Sequence, residues 1–218
     1  YRLHERIKNA KGLNINLDQI HTYAQHVANK EIDSDKLTDY LKKEAAGAKI
    51  PKPKQVFLVI AESYAQWPLM DKYEHVGIAN GLKYVLKQDN TIHVPAFIPD
   101  GPFTAMAVTG VVSGLANIHL YITDELQSFK QPYITAIAPQ MKKLGYKTYF
   151  WYGGFSSWER IKDFTLAQGF DNFYSYGDFQ KTKGNVWGVD DGEFLQSISE
   201  VVNPEEWSFH VILTTSNH

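Results

Sequence analysis

Val56-Phe57-Leu58-Val59-Ile60-Ala61-Glu62-Ser63 is the stretch that decides the fold class. Its first six residues are all apolar, a run of strand length with no polar alternation. Such a run suits a strand buried on both faces, as in a parallel sheet. The run stops at a carboxylate, Glu62. In an open α/β sheet the carboxyl end of a strand borders the crevice where ligands sit.

Upstream, Pro51-Lys52-Pro53-Lys54 interleaves prolines with lysines and reads as an extended linker. Residues 1–50 are polar and helical in pattern. Leu17, Ile20, Tyr23, Ala24 and Val27 follow one helical spacing, and Asp33 or Ser34 can cap a second helix carrying Leu37, Tyr40 and Leu41 before Lys42–Lys43. Downstream, helix and strand patterns alternate. Thr104–Leu115 is small and apolar and predicts a buried helix. Pro132–Leu144 predicts an amphipathic helix stopped by Gly145, Lys147–Tyr152 a strand, and Trp158–Gln168 a helix stopped by Gly169. Asp190–Val202 predicts a helix with acids in its first turn, and Ser208–Thr214 a strand. The alternation predicts an α/β fold: a doubly wound, mostly parallel sheet flanked by helices, preceded by a short helical segment.

Composition narrows the function. With 44% hydrophobic residues in 218, the chain can build a sizeable core. Lys and Arg number 22 against 24 Asp and Glu, for a net charge of −2, so no strong basic field is available to hold nucleic acid. Cysteine is absent, which excludes disulfides, thiolate metal sites and a cysteine nucleophile. No run of 18 apolar residues, signal peptide, internal repeat or low-complexity segment appears.

Four places can carry chemistry. Glu62 can hold a hard cation through oxygen, although an acid capping the next element suits the same position. Thr104, in Gly101-Pro102-Phe103-Thr104-Ala105-Met106, opens a small-residue helix. Its hydroxyl can act as a nucleophile if a metal lowers its pKa, or as an ordinary N-cap. Tyr152-Gly153-Gly154-Phe155-Ser156-Ser157-Trp158-Glu159-Arg160 joins a strand to a helix. There Arg160 can fork onto a phosphate and Trp158 can wall a pocket, or the segment is a plain turn with a core Trp and a surface Arg. Thr214-Thr215-Ser216-Asn217-His218 ends the last strand and offers His218 as a substrate or metal group, or as a terminal residue with no role. The remaining histidines form no HxxxH or HxH pattern.

In their order, these segments resemble the alkaline phosphatase superfamily, within the broad sulfatase family. The nearest branch is the lipoteichoic acid synthase and phosphoglycerol transferase group. The residues that carry the likeness run from about 54 to 218. They are the strand ending in Glu62-Ser63, Thr104 with Ser113-Gly114-Leu115, Met141 to Thr148, Gly153-Gly154 with Trp158-Glu159-Arg160, Gln168 to Tyr174, Trp187 to Phe194, and Thr214 to His218. The resemblance implies an alkaline phosphatase-like fold and a metal-dependent phosphotransferase acting on phospholipid head groups. Glu62 and Thr104 would bind the divalent metal (Mn, Mg or Zn). Thr104 would form a phosphothreonine intermediate, and Trp158, Arg160 and His218 would line the head-group pocket. It further implies an extracytoplasmic location, with membrane attachment through segments outside this chain.

Two features depart from the pattern. The synthases place a His at the start of the glycine turn, where this chain has Trp151-Tyr152. The Asp-His pair that completes the family's metal site lies downstream of the last matched segment. Residues 51–218 are therefore expected to be the N-terminal part of a catalytic domain that by itself holds metal weakly, and residues 1–50 a helical connector from an upstream membrane region. An exposed apolar sheet edge near residues 208–214 is also expected, as a route to dimers. A phosphoethanolamine transferase or a sulfatase-like hydrolase is the alternative, and a non-catalytic ligand-binding domain of the same fold is a second. The formylglycine motif of true sulfatases is missing at Thr104-Ala105-Met106-Ala107-Val108.

Overall fold

The computed structural model describes residues 17–29, 39–40, 51–116, 122–179 and 184–215. The expected second N-terminal helix falls almost wholly outside these residues, as does His218. Helix α1 spans Leu17–Ala28, in line with its spacing. Strand β1 (Gln55–Ile60) follows, then helices α2 (Asn80–Leu86), α3 (Thr104–Ser113) and α4 (Ile137–Lys143). Strand β2 (Lys147–Tyr152), helix α5 (Ile161–Ala167), strand β3 (Asn172–Tyr174), helix α6 (Asp191–Val201) and strand β4 (Ser208–Leu213) complete the order. No helix among the described residues is long and apolar enough to cross a membrane.

The four strands form one sheet in the order β1-β4-β2-β3, and every pairing is parallel. Side chains alternate across a strand, so each strand feeds two cores. On one face Phe150 and Tyr152 of β2 and Phe209, Val211 and Leu213 of β4 meet Val108 and Val112 of α3, Ala138 of α4, and Ile161 and Phe164 of α5. On the other face Trp151 and Ile212 meet Phe194 and Ile198 of α6. Helices on both faces make the doubly wound α/β arrangement that the strand–helix alternation predicts. Phe150 and Phe164 are wholly buried, and each such side chain contributes about 2–3 kcal/mol.

Four expectations change. β4 is not an edge. It lies between β1 and β2, bonded on both sides, and all six of its residues are buried. Phe209, Val211, Ile212 and Leu213 are buried because β4 is central, and the free edges belong to β3 and to β1, which is therefore not buried on both faces: Phe57 and Val59 are about half exposed. The helix predicted from Pro132 begins only at Ile137. Ahead of it, Tyr133 N–H donates to Gln168 Oε1 at 2.9 Å and the Thr135 hydroxyl to Ser113 O, side-chain bonds that compete with helical ones. The helix predicted from Trp158 is broken at Glu159 and Arg160, which both adopt left-handed backbone, so α5 begins at Ile161.

Pro51–Lys54 is tied down at the amino ends of the strands. The Lys52 ammonium lies 4.3 Å from the centroids of both the Tyr146 and Trp207 rings, and Tyr146 OH donates to Pro53 O at 2.6 Å. The segment read as a linker thus anchors the start of β1.

Candidate active site

Ile60, Leu213 and Tyr152 stand level in the sheet register, at the carboxyl ends of three adjacent strands. The Thr214 N–H continues the ladder by donating to Ile60 O at 3.1 Å. The Thr214 side chain, 4% exposed, accepts the Glu62 N–H at 3.0 Å. β4 therefore fixes where β1 delivers its carboxylate. Ser63 follows in left-handed backbone (φ 56°) and donates its hydroxyl to Glu62 Oε1 at 3.3 Å.

Thr104 arrives from the other end of the long β1–α3 connection. It is the first residue of α3, whose cap position is Phe103, and no side chain caps the helix. The N-cap alternative for Thr104 is thus set aside. Its hydroxyl instead donates to Glu62 Oε2 at 2.7 Å. A short hydrogen bond onto a carboxylate is of the stronger, charge-assisted kind. The two residues that sequence reasoning selected separately lie in direct contact.

The other motif segments converge on the same end of the sheet. Gly153 N–H donates to Leu213 O at 3.0 Å, while Gly153 O accepts Val189 N–H at 2.9 Å and Gly154 O accepts Tyr176 N–H at 3.0 Å. Gly188 has a φ of 144° and sits so close to the Gly153 carbonyl that a Cβ would collide with it. The Thr215 hydroxyl donates to Val189 O and its N–H to Asp191 Oδ1, each at 3.2 Å. Gly153, Gly154, Tyr176, Val189, Asp191 and Thr215 are thus joined by hydrogen bonds at this end of the sheet.

Trp158 packs against Tyr152, ring centroids 5.5 Å apart. Tyr152 is 7% exposed, and burial together with the nearby Glu62 charge raises its phenol pKa to about 12. Arg160 lies further out. Its guanidinium sits 3.8 Å from the Phe129 ring centroid and its Nε 3.9 Å from Asp163, with the side chain largely exposed. Tyr152 was not a sequence candidate. Its place beside Glu62 depends on the register of three strands, which the sequence does not reveal.

Among the described residues, the non-glycine positions with positive φ are Asn29, Ser63, Glu159 and Arg160. Ser63 and Glu159 adjoin candidate residues and Arg160 is one, and backbone strain of this kind gathers at functional sites. Glu62 Oε2 and Thr104 Oγ1 are hard oxygen donors near enough to share one divalent cation, so the pair fits part of a metal site. Among the described residues no group of three His, Cys, Asp or Glu is arranged to hold a metal.

The family model described as Sulfatase matches residues 54–218. The chain belongs to the sulfatase family. This sulfatase-family chain is similar in structure to a protein of the alkaline phosphatase superfamily from Vibrio parahaemolyticus. The TM-score is 0.68 at 19% identity, covering 94% of this chain and 50% of that one. It is similar to the lipoteichoic acid synthase LtaP from Listeria monocytogenes, with a TM-score of 0.58 at 19% identity, covering 74% of this chain and 40% of that one. It is also similar to the Streptococcus pyogenes phosphoglycerol transferase GacH, solved in complex with sn-glycerol-1-phosphate. There the TM-score is 0.55 at 14% identity, covering 94% of this chain and 53% of that one. At these identities the likeness establishes an alkaline phosphatase-like fold, of which this chain spans about half or less of each relative's length.

Proposed function

We propose that this chain carries the nucleophile half of a phosphotransferase site that acts on phospholipid head groups of the phosphoglycerol type. The observation that carries the reading is the 2.7 Å hydrogen bond from the Thr104 hydroxyl to Glu62 Oε2 at the carboxyl edge of β1. The family match and the likeness to a phosphoglycerol transferase solved with sn-glycerol-1-phosphate support it.

In this reading Thr104 Oγ1 attacks the ester phosphorus. The bond from phosphorus to the lipid-side oxygen breaks as the Oγ1–P bond forms, which gives phosphothreonine. The hydroxyl proton leaves along the hydrogen bond toward Glu62, and the departing alkoxide takes a proton from solvent. An acceptor hydroxyl or water then cleaves the phosphothreonine and frees Thr104. Glu62 and Thr104 would hold a divalent cation, whose positive charge would lower the hydroxyl pKa. Trp158 walls the pocket through Tyr152, and Arg160 reaches the head group only by leaving Phe129. The same reading puts the site outside the cytoplasm, facing lipid.

The test uses the full-length protein with Mn²⁺ and a phosphatidylglycerol substrate. Phosphate ester is expected on Thr104 by mass spectrometry, and lost in Thr104→Ala together with turnover. Undiminished turnover in Thr104→Ala would overturn the proposal.

A further inference from the structure

We propose that the Tyr152 hydroxyl is a substrate-facing hydrogen-bond donor, held against the Gly153-Gly154 turn and beside Glu62 so that it meets a phosphoryl oxygen of the ester at Thr104. This rests on the phosphoryl-transfer reading of Glu62 and Thr104.

Placement comes from the register. Tyr152 is the last residue of β2 and stands level with Leu213 and Ile60, so its side chain shares their face of the sheet. That face is covered by α3, whose first residue is Thr104. Glu62 follows Ile60 by two residues and bonds to Thr104. The phenol tip lies so tight on Gly154 that a Cβ there would overlap Cζ and Oη. Glycine at 154 is thus what lets the hydroxyl reach the turn. Trp158 packs on the ring and fixes its tilt.

The chemistry suits an anionic ester. A phosphate entering beside the Glu62 carboxylate meets like charge, which a neutral donor from β2, one strand beyond β4, offsets. A phenol is protonated at neutral pH and so can donate to the ester. Among the described residues no hydrogen bond occupies this hydroxyl.

The experiment compares full-length wild type and Tyr152→Phe with Mn²⁺. The phenylalanine keeps the ring against Trp158 and removes only the donor. Calorimetric affinity for sn-glycerol-1-phosphate is expected to fall by about ten- to a hundredfold, the loss typical of one hydrogen bond to a charged group. Equal affinity would overturn the proposal. As a measurement that needs no deletion, 3-fluorotyrosine at 152 is expected to change its ¹⁹F shift when sn-glycerol-1-phosphate is added, and an unmoved signal would also overturn it. Phosphate on Thr104 is scored separately. A labelled Thr104 with no Tyr152 effect removes the donor role and leaves the phosphotransferase reading standing. An unlabelled Thr104 with a ¹⁹F shift does the reverse.

Discussion

Thr214 Oγ1 accepts the backbone N–H of Glu62 at 3.0 Å, across 152 residues of sequence. The last strand thereby fixes the carboxylate that the first strand presents. Glu62 would otherwise sit at a free strand end, where one left-handed residue, Ser63, already turns the chain away. The bond makes the position of the site a property of the sheet and not of a loop.

Thr214→Val is close to isosteric and removes this acceptor. A partly buried N–H left without a partner costs about 1–3 kcal/mol, so the unfolding free energy from urea titration is expected to drop by that amount, with a lower midpoint. Thr104 labelling should drop with it as Glu62 loses its register, and Thr214→Ser should restore both. A Thr214→Val protein with wild-type stability would show that the bond carries no weight.

Glu62→Gln separates charge from shape. The backbone bond to Thr214 and the amide oxygen both remain, so stability is expected to stay within about 1 kcal/mol of wild type. On the proposed function, the substitution removes the charge that would receive the Thr104 proton and draw a cation. Labelling of Thr104 is expected to fall by about a hundredfold or more. Unimpaired labelling in rapid-quench measurements would exclude Glu62 from the chemistry.

His210 predicts a pH dependence. It is 1% exposed and lies stacked between Phe57 and Tyr149, with ring centroids at 4.7 and 4.9 Å. Trp151 Nε1–H donates to its Nδ1 at 3.0 Å, and Nε2 lies 2.9 Å from the Ser208 hydroxyl. Burial lowers its pKa to about 4, partly opposed by the charge of Glu206. Below about pH 6.5 the unfolded chain takes up a proton that the folded chain refuses. Stability is therefore lost progressively from about pH 6.5 down to about 4, by on the order of 3 kcal/mol in total. Urea midpoints at pH 7 and 5 should differ in wild type and less so in His210→Gln. A His210 imidazole that titrates near 6.5 by NMR would refute this.

Much of the frame was legible in short windows of sequence. The apolar run at 56–61, the small-residue helix from Thr104 and the strand at 147–152 are each marked by their local composition, and each forms within a residue or two of where that composition indicates. Glu62 and Thr104 were legible as strand-end and helix-start residues. Nothing local, however, distinguished Thr104 as an N-cap from Thr104 as a donor to a carboxylate. The breaks at Pro132 and Glu159 were hidden for a similar reason: side-chain bonds from Gln168 and Thr135 in one case, and strained backbone in the other, override propensity.

The sequence by itself determined that this chain is an α/β protein with a Thr-opened helix and a carboxylate at the end of an apolar strand. Hydrophobic periodicity, caps and turns act over a few residues and leave their mark within a few residues. Only the tertiary structure decided that β4 inserts between β1 and β2. That insertion buries the strand expected at the edge, levels Tyr152 with Ile60 and brings Thr214 beneath Glu62. Strand order is chosen by the joint burial of two apolar faces, and no single segment records that choice.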